Sequence, residues 1–511
     1  MAALEPVDPL HQTRRQAIKA ARFEVLSQQD VQRIHTASID VLSTVGIKVD
    51  YGTARDLFRQ AGAEVDDEAC CVRIPEELIR RALHTAPSHF TLYGGDPGFR
   101  MEVGSGEVHF AGLGTPTDIL DTQTGERRPS TMADVVRHIQ LINGCRHIHN
   151  CQMDVWPNDI RITTIHAEAI WAWAHHSGKP FGMGCYGYLP TLDMMRMMAI
   201  AVGGKEELRR RPRFFAICSV GSPLQMLQMQ AEGLLVCAEY GQPLAMSPEA
   251  IAGATAPVTL AGLLAQQNAN ILAHVTLAQI FRPGTPVLYG SVSTIANMRL
   301  GTVALGAVET GLVTAASAQL ARHYGLPCRG VGGTTESKSV DVQAGFERAA
   351  TLLQAVLAGV DFITCAGTLD STMLESEPLL VLDDELCGAA LRVARGIEVD
   401  HSTLALDAIK EIGFCGHYLD HETTASRFRD EHFIPDLLPR EPYDTWQLGG
   451  ARSALELARE RVREILDRHQ PRELHSAVER ELDAYRRKVA ARPMEDFYAH
   501  EDAGLQDLSS L

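Results

Sequence analysis

Positive charge is scarce in this chain. Lys and Arg number 47 against 64 Asp and Glu, a formal net charge of −17. So acidic a chain repels phosphate backbones, which argues against nucleic acid as a partner. Paired cysteines are also missing. The 11 cysteines are scattered, with one adjacent pair, Cys70-Cys71, and no CxxC. That pattern counts against a disulfide framework and a structural zinc site, and predicts reduced thiols. No apolar run approaches the ~20 residues of a membrane span. Val258–Ala265 and Gly301–Val308 are both soon interrupted by polar residues. The opening stretch has Arg14-Arg15 with no apolar core behind them, so it does not read as a signal peptide. The expectation is a soluble, cytoplasmic protein. No Ser-His-Asp elbow, GxGxxG or GxxxxGK[ST] occurs, so common hydrolase, dehydrogenase and kinase chemistry lose support. Aromatic residues make up only 6%, with 4 Trp and 11 Tyr, so the place of each ring carries information.

What is present in quantity is apolar surface, 45% of the 511 residues, too much for a disordered chain. Residues 1–100 read as an α+β extension. Val31, Ile34, Val41 and Val45 recur at helical spacing behind Ser27, and a second helix covers Tyr51–Ala61. A third follows Pro75, and AEVDDEACCVRI reads as a hairpin. Residues 101–400 alternate short apolar runs with helical stretches. Seven runs are clear, at 147–156, 179–188, 213–222, 242–251, 285–294, 326–335 and 361–370. A candidate eighth is PLLVLDDEL at 378–386. VHFAGLGTPTDILD reads as strand, turn and strand before a helix capped by Thr131. This repeat predicts an α/β fold, a parallel (β/α)8 barrel of TIM type. A doubly wound sheet is the competitor, and it lacks its Gly-rich fingerprint here. Residues 401–511 read as a C-terminal helical region, with ARSALELARERVREILDRHQ an amphipathic helix packing on the barrel or a second subunit.

Barrel chemistry sits where strands end. The predicted ends carry Asp154, Trp156, Tyr186, Tyr188, Ser219, Ser247, Glu249, Tyr289, Ser291, Thr334, Glu336, Lys338 and Asp370. Trp156, Tyr186, Tyr188 and Tyr289 are candidates for a ring of aromatic faces around a quaternary ammonium group. The alternative is that they seal the barrel mouth. Glu249 and Glu336 would add countercharge, or form loop salt bridges. His147 and His149 form an HxH, but at the start of a predicted strand, on the stability face, so no bound metal is expected. His417 and His421 read as surface or capping residues, or as groups over the mouth. His109 belongs either to the core or to a loop facing the pocket.

Several segments carry a resemblance. GLGTPTDILDTQTGERRPSTMADV, AGATAPVTLAGLLAQQNANILA, ARHYGLPCRGVGGTTESKSVDVQAGFERA and GHYLDHETT are similar to the trimethylamine methyltransferase superfamily, over roughly residues 20–470. The resemblance implies a barrel that moves a methyl group from a methylated amine to Co(I) of a corrinoid (cobalamin) carried by a cognate partner protein, and a homo-oligomer. The trimethylamine branch carries pyrrolysine near the sixth strand. The corresponding loop here, Gly332–Asp341, holds only standard residues. That points to the branch without pyrrolysine, whose members demethylate quaternary amines such as glycine betaine. Such a substrate also carries a carboxylate, for which Lys338, His109 and the backbone N–H groups of the GGTT loop are candidate donors. Another methylated amine such as trimethylamine, or a non-catalytic betaine- or corrinoid-binding barrel, remain the alternatives.

Overall fold

The computed structural model describes residues 22–496, so the stretch around Arg14-Arg15 lies outside the described residues. Eight parallel strands close into a barrel. They are β1 (His109–Gly112), β2 (Ile148–Gln152), β3 (Phe181–Gly184), β4 (Phe214–Val220), β5 (Leu244–Pro248), β6 (Val287–Gly290), β7 (Cys328–Val331) and β8 (Phe362–Ala366). Each leads to a helix: α1 (Met132–Gly144), α2 (Ile165–His176), α3 (Tyr188–Val202), α4 (Gln228–Glu239), α5 (Leu260–Phe281), α6 (Val308–Tyr324), α7 (Val342–Ala358) and α8 (Glu377–Arg395). The strands are almost wholly buried, as a parallel sheet covered by helices requires. The fold class is the predicted (β/α)8 barrel.

The strand assignment is corrected at one end. PLLVLDDEL is helix, not strand. Ser376 caps it by accepting from the Leu379 N–H, Pro378 sits in its first turn, and Leu380, Asp383, Cys387, Ala390 and Ala394 form its buried face. The eighth strand is instead His109-Phe110-Ala111-Gly112, which closes the barrel between β8 and β2. The sequence marks this segment as a strand, and long-range pairing is what makes it a stave of the barrel. The Gly332–Asp341 loop therefore follows the seventh strand.

The N-terminal mouth is plugged. Strands Phe90–Tyr93 and Arg100–Val103 form an antiparallel hairpin beneath the barrel. Its Phe90, Leu92, Met101 and Val103, with Phe99, pack in one cluster with Ala111, Phe215, Ala245, Leu288 and Phe362. Those five come from five barrel strands and mark the inward positions. Phe215 and Phe362 stack across the lumen with centroids 4.1 Å apart and planes 9° apart. The floor is apolar and sealed, so a ligand enters from the opposite, C-terminal face.

The extensions brace the outside. The helix Gln28–Asp40 lies on α5, where the Ser38 hydroxyl donates to the Ala265 carbonyl at 2.9 Å. The predicted hairpin is present as Glu64–Asp66 and Cys71–Arg73. The amphipathic helix Ala454–Arg468 packs on α8 and α1. The helix Ser476–Ala491 crosses α2 and α3, where Tyr485 and Arg492 bond to the buried Asp193. All 11 cysteines are free thiols and eight are buried, Cys185, Cys218, Cys328 and Cys365 among them. Among the described residues no helix is long and apolar enough to cross a membrane.

Candidate active site

Above the floor the lumen turns polar. In β7, Gly330 backs onto Thr314 of α6, and alternation sends Arg329 inward. Its Nη2 donates to the Thr364 hydroxyl of β8 at 2.9 Å, and only 4% of the residue is exposed. Burial lowers its pKa to about 10, with Glu249, Cys328, Asp154 and Tyr186 acting the other way, so it stays cationic at neutral pH. Gln152 of β2 donates to the Gly112 carbonyl at 2.8 Å and to Asp154 at 3.0 Å.

One wall of the upper lumen is a carboxylate–imidazole–carboxylate bridge. His138 of α1 meets Asp154 through Nε2 and Glu375 through Nδ1, both at 3.0 Å. All three are buried. Burial disfavours charge on the ring, but Glu375 and Asp154 outweigh it and lift its pKa to about 10. Burial also lifts the Glu375 carboxyl, to about 7, with His138 opposing the lift. The ring is therefore an imidazolium between two acids. Gly112 permits this approach, since a Cβ there would collide with the Asp154 carboxylate.

The other wall holds Tyr186, Ser219 and Glu249. The Tyr186 ring lies against Gly184, where a Cβ would strike it. Its hydroxyl bonds to Ser219 Oγ at 3.1 Å, and Ser219 shares the inward face of β4 with Phe215. Desolvation raises the phenol to about 12, so it stays neutral. Glu249 follows β5 and faces open space. Surrounding protein still desolvates its carboxyl enough to raise its pKa, against the pull of Arg329 and Ser219.

Of the residues singled out in the sequence, the structure brings Tyr186 and Glu249 together. Asp154 and Ser219 line the same lumen, and the remaining aromatic, charged and histidine candidates lie elsewhere. Tyr289 is fully buried but faces outward, because its neighbour Leu288 takes the inward position. Its hydroxyl donates to Asn268 of α5 at 3.0 Å and its ring stacks on Tyr324 of α6. Tyr188 opens α3 on the outer layer, with its backbone N–H bonded to Glu232 at 3.1 Å. Trp156 is half-buried against the main apolar cluster, and its backbone ties Pro116 to Ser130. His109 begins β1, so it sits near the plugged end, where Nε2 lies 3.1 Å from the Glu102 carbonyl. Glu336 pins the rim loops, accepting from the Gly306 N–H at 3.0 Å and from the Ser371 hydroxyl. Lys338 is exposed on the rim and pairs with Asp370 at 3.0 Å. His421 caps the helix Glu422–Glu431, and His147 packs against α8 at Gly388.

The structure adds Arg329, His138 and Glu375 to the candidates, none of which the sequence reading singles out. Arg329 had a usable signal, a lone cation inside the apolar strand CRGV, which must point into a lumen or be paired. His138 reads as one more residue of an amphipathic helix. Glu375 belongs to a two-residue strand that has no pattern at all. A Tyr289→Phe variant is expected to lose about 1 kcal/mol of stability, one buried hydrogen bond, with substrate affinity unchanged. Urea denaturation and calorimetry read the two separately.

The sequence matches the family described as trimethylamine methyltransferase (MTTB) over residues 5–492. It is 33% identical over 470 residues to a glycine betaine methyltransferase of Desulfitobacterium hafniense (strain Y51), covering 91% of this chain and 96% of that protein. It is 31% identical over 478 residues to Trimethylamine methyltransferase MttB of Methanosarcina barkeri (strain Fusaro / DSM 804), covering 92% of this chain and 95% of that one. Among solved structures, the monomethylamine methyltransferase (MtmB) of Methanosarcina barkeri aligns at a TM-score of 0.46 and 12% identity, over 89% of this chain and 99% of that one. By sequence across nearly its whole length, this chain belongs to the trimethylamine methyltransferase (MTTB) family.

Proposed function

We propose that this protein transfers a methyl group from a quaternary amine of the glycine betaine kind to the cobalt of a corrinoid carried by a partner protein. The observation that carries the reading is the pairing of a neutral aromatic ring, Tyr186, with a desolvated carboxylate, Glu249, in a lumen open only at one end. A ring face and a countercharge at low dielectric suit a permanent cation that cannot donate a hydrogen bond. The named activity of the relative from Desulfitobacterium hafniense supports the same substrate class, and the family supports methyl transfer from a methylated amine.

A Co(I) corrinoid supplies a strong nucleophile. The chain's task is to hold the ammonium, aim one methyl at the mouth and exclude water. The C–N electron pair stays with nitrogen, which leaves as a neutral tertiary amine. The residues at the mouth fit a large flat partner group. Val258, Met298, Leu300, Val342, Phe346 and Met373 all lie on the loops or helix starts that follow barrel strands, and all are exposed. Replacing Met298 and Phe346 together by Asp is expected to slow transfer to the corrinoid protein at least about tenfold, by charging an apolar interface. Turnover with free cobalamin should hardly change.

Exposed apolar side chains at Ile397, Leu404, Phe414, Leu419 and Leu448 accord with a homo-oligomer, which light scattering would weigh directly. The free thiols accord with a reducing cytoplasm. The function is tested by mixing the protein with Co(I) cobalamin and glycine betaine. The cobalt absorbance should shift as it is methylated. Methylation with trimethylamine but not glycine betaine would overturn the quaternary-amine reading.

A further inference from the structure

Arg329 is a buried cation whose donors are mostly unspent. One Nη2 hydrogen goes to Thr364, while Nε and Nη1 are enclosed with no hydrogen-bond partner. Leaving charged donors unmet in a protein interior is costly, and such groups are normally paired or solvated. No carboxylate lies within ion-pair distance of Arg329 among the described residues, although Glu249 and Asp154 are near enough to act on it electrostatically. By contrast, Arg348, buried still more deeply, is fully engaged. Its Nε meets Asp383 at 2.8 Å, and its Nη1 and Nη2 meet the carbonyls of Thr368 and Cys365, each at 2.7 Å. The fold thus satisfies an arginine where the role is structural and leaves one open where it faces the lumen.

The geometry points to Arg329 as the receptor for the carboxylate of the methyl donor, and so as the residue that sets a zwitterion above a simple cation. This rests on the methyl-transfer reading above and adds to it. The second Nη2 hydrogen, with Nε or Nη1, forms the two-donor edge that matches a carboxylate. The bond to Thr364 holds the guanidinium by its other Nη2 hydrogen. The remaining charges are ordered to suit a short zwitterion. Tyr186 and Glu249 stand on the wall above, where the ammonium would lie, and Arg329 stands deeper, toward the apolar floor. A substrate bound this way turns its carboxylate inward and its methyl groups toward the mouth. A cation without a carboxylate leaves Arg329 unpaired and meets its repulsion.

Calorimetry with glycine betaine, choline, tetramethylammonium and N,N-dimethylglycine tests this on the full chain. Wild type is expected to prefer glycine betaine over choline by at least about 30-fold, since a buried polar group left unpaired discriminates strongly. Arg329→Met should weaken glycine betaine about 100-fold and dimethylglycine comparably, while choline and tetramethylammonium change little. Should the variant not fold, wild-type selectivity alone decides the matter. Choline or tetramethylammonium binding wild type as tightly as glycine betaine overturns the proposal. If dimethylglycine binds through Arg329 while no amine methylates cobalt, the carboxylate site stands and the methyl-transfer reading falls. If choline and glycine betaine both donate methyl equally well, the reading stands and the Arg329 proposal falls.

Discussion

Tyr186→Ala is expected to raise the dissociation constant for glycine betaine about 30-fold, the equivalent of ~2 kcal/mol for a desolvated cation–π contact. Tyr186→Phe keeps the ring and loses only the 3.1 Å bond to Ser219, so its affinity should stay within about threefold of wild type. Glu249→Gln keeps the shape and removes the countercharge, and should weaken binding at least about tenfold. It should also remove a pH dependence. Burial raises the Glu249 carboxyl, so wild-type affinity falls as pH drops through that raised value and the carboxylate is neutralised. The Gln variant should show a flat profile. Calorimetry across pH reads all three, and unchanged affinity in Tyr186→Ala and Glu249→Gln would remove the cation site from the lumen.

The second large effect concerns His138. Removing it leaves Asp154 and Glu375 buried without their shared cation, and His138→Ala is expected to cost about 3–5 kcal/mol of stability. The pH dependence has a definite sign. The folded ring holds its proton to about pH 10, against 6.5 for a free imidazole. Its contribution is therefore complete below about 6.5 and is lost as pH rises through 10. Glu375, lifted from 4.5 to about 7, acts in the same direction lower in the range, because the folded state again holds the proton more tightly. Thermal melts should show wild type losing stability between pH 7 and 10 more steeply than His138→Gln. Parallel curves for the two proteins would mean the ring is not charged in the folded state.

Much of the architecture was legible because barrel strands announce themselves as apolar runs before helices. Seven runs behaved so. His109–Gly112 reads as a strand within VHFAGLG, but its place in the barrel comes from pairing with β8 and β2 rather than from its own residues. The site was legible only in part, for a related reason. Period-two alternation decides which side of the wall a strand residue takes, and one residue of register separates lumen from helix layer. Leu288 faces in and Tyr289 faces out, so a tyrosine at the right height lands against Asn268. Tyr188 fails differently, since it already belongs to a helix. Tyr186 and Glu249 meet in the lumen because they lie just past the strands, where the chain still lines the mouth. Lys338 is one of the carboxylate-donor candidates in the sequence, yet it lies on the exposed rim with Asp370, while the donor with open N–H groups is Arg329, deep in β7.

The central claim is that a methyl group leaves a quaternary nitrogen held in this lumen and arrives on cobalt. Carbon-13 NMR of glycine betaine labelled in its N-methyl groups, incubated with the protein and Co(I) cobalamin, follows that carbon directly. The expected result is one labelled methyl on cobalt for each dimethylglycine released. Labelled glycine betaine that stays intact while trimethylamine is consumed would contradict it.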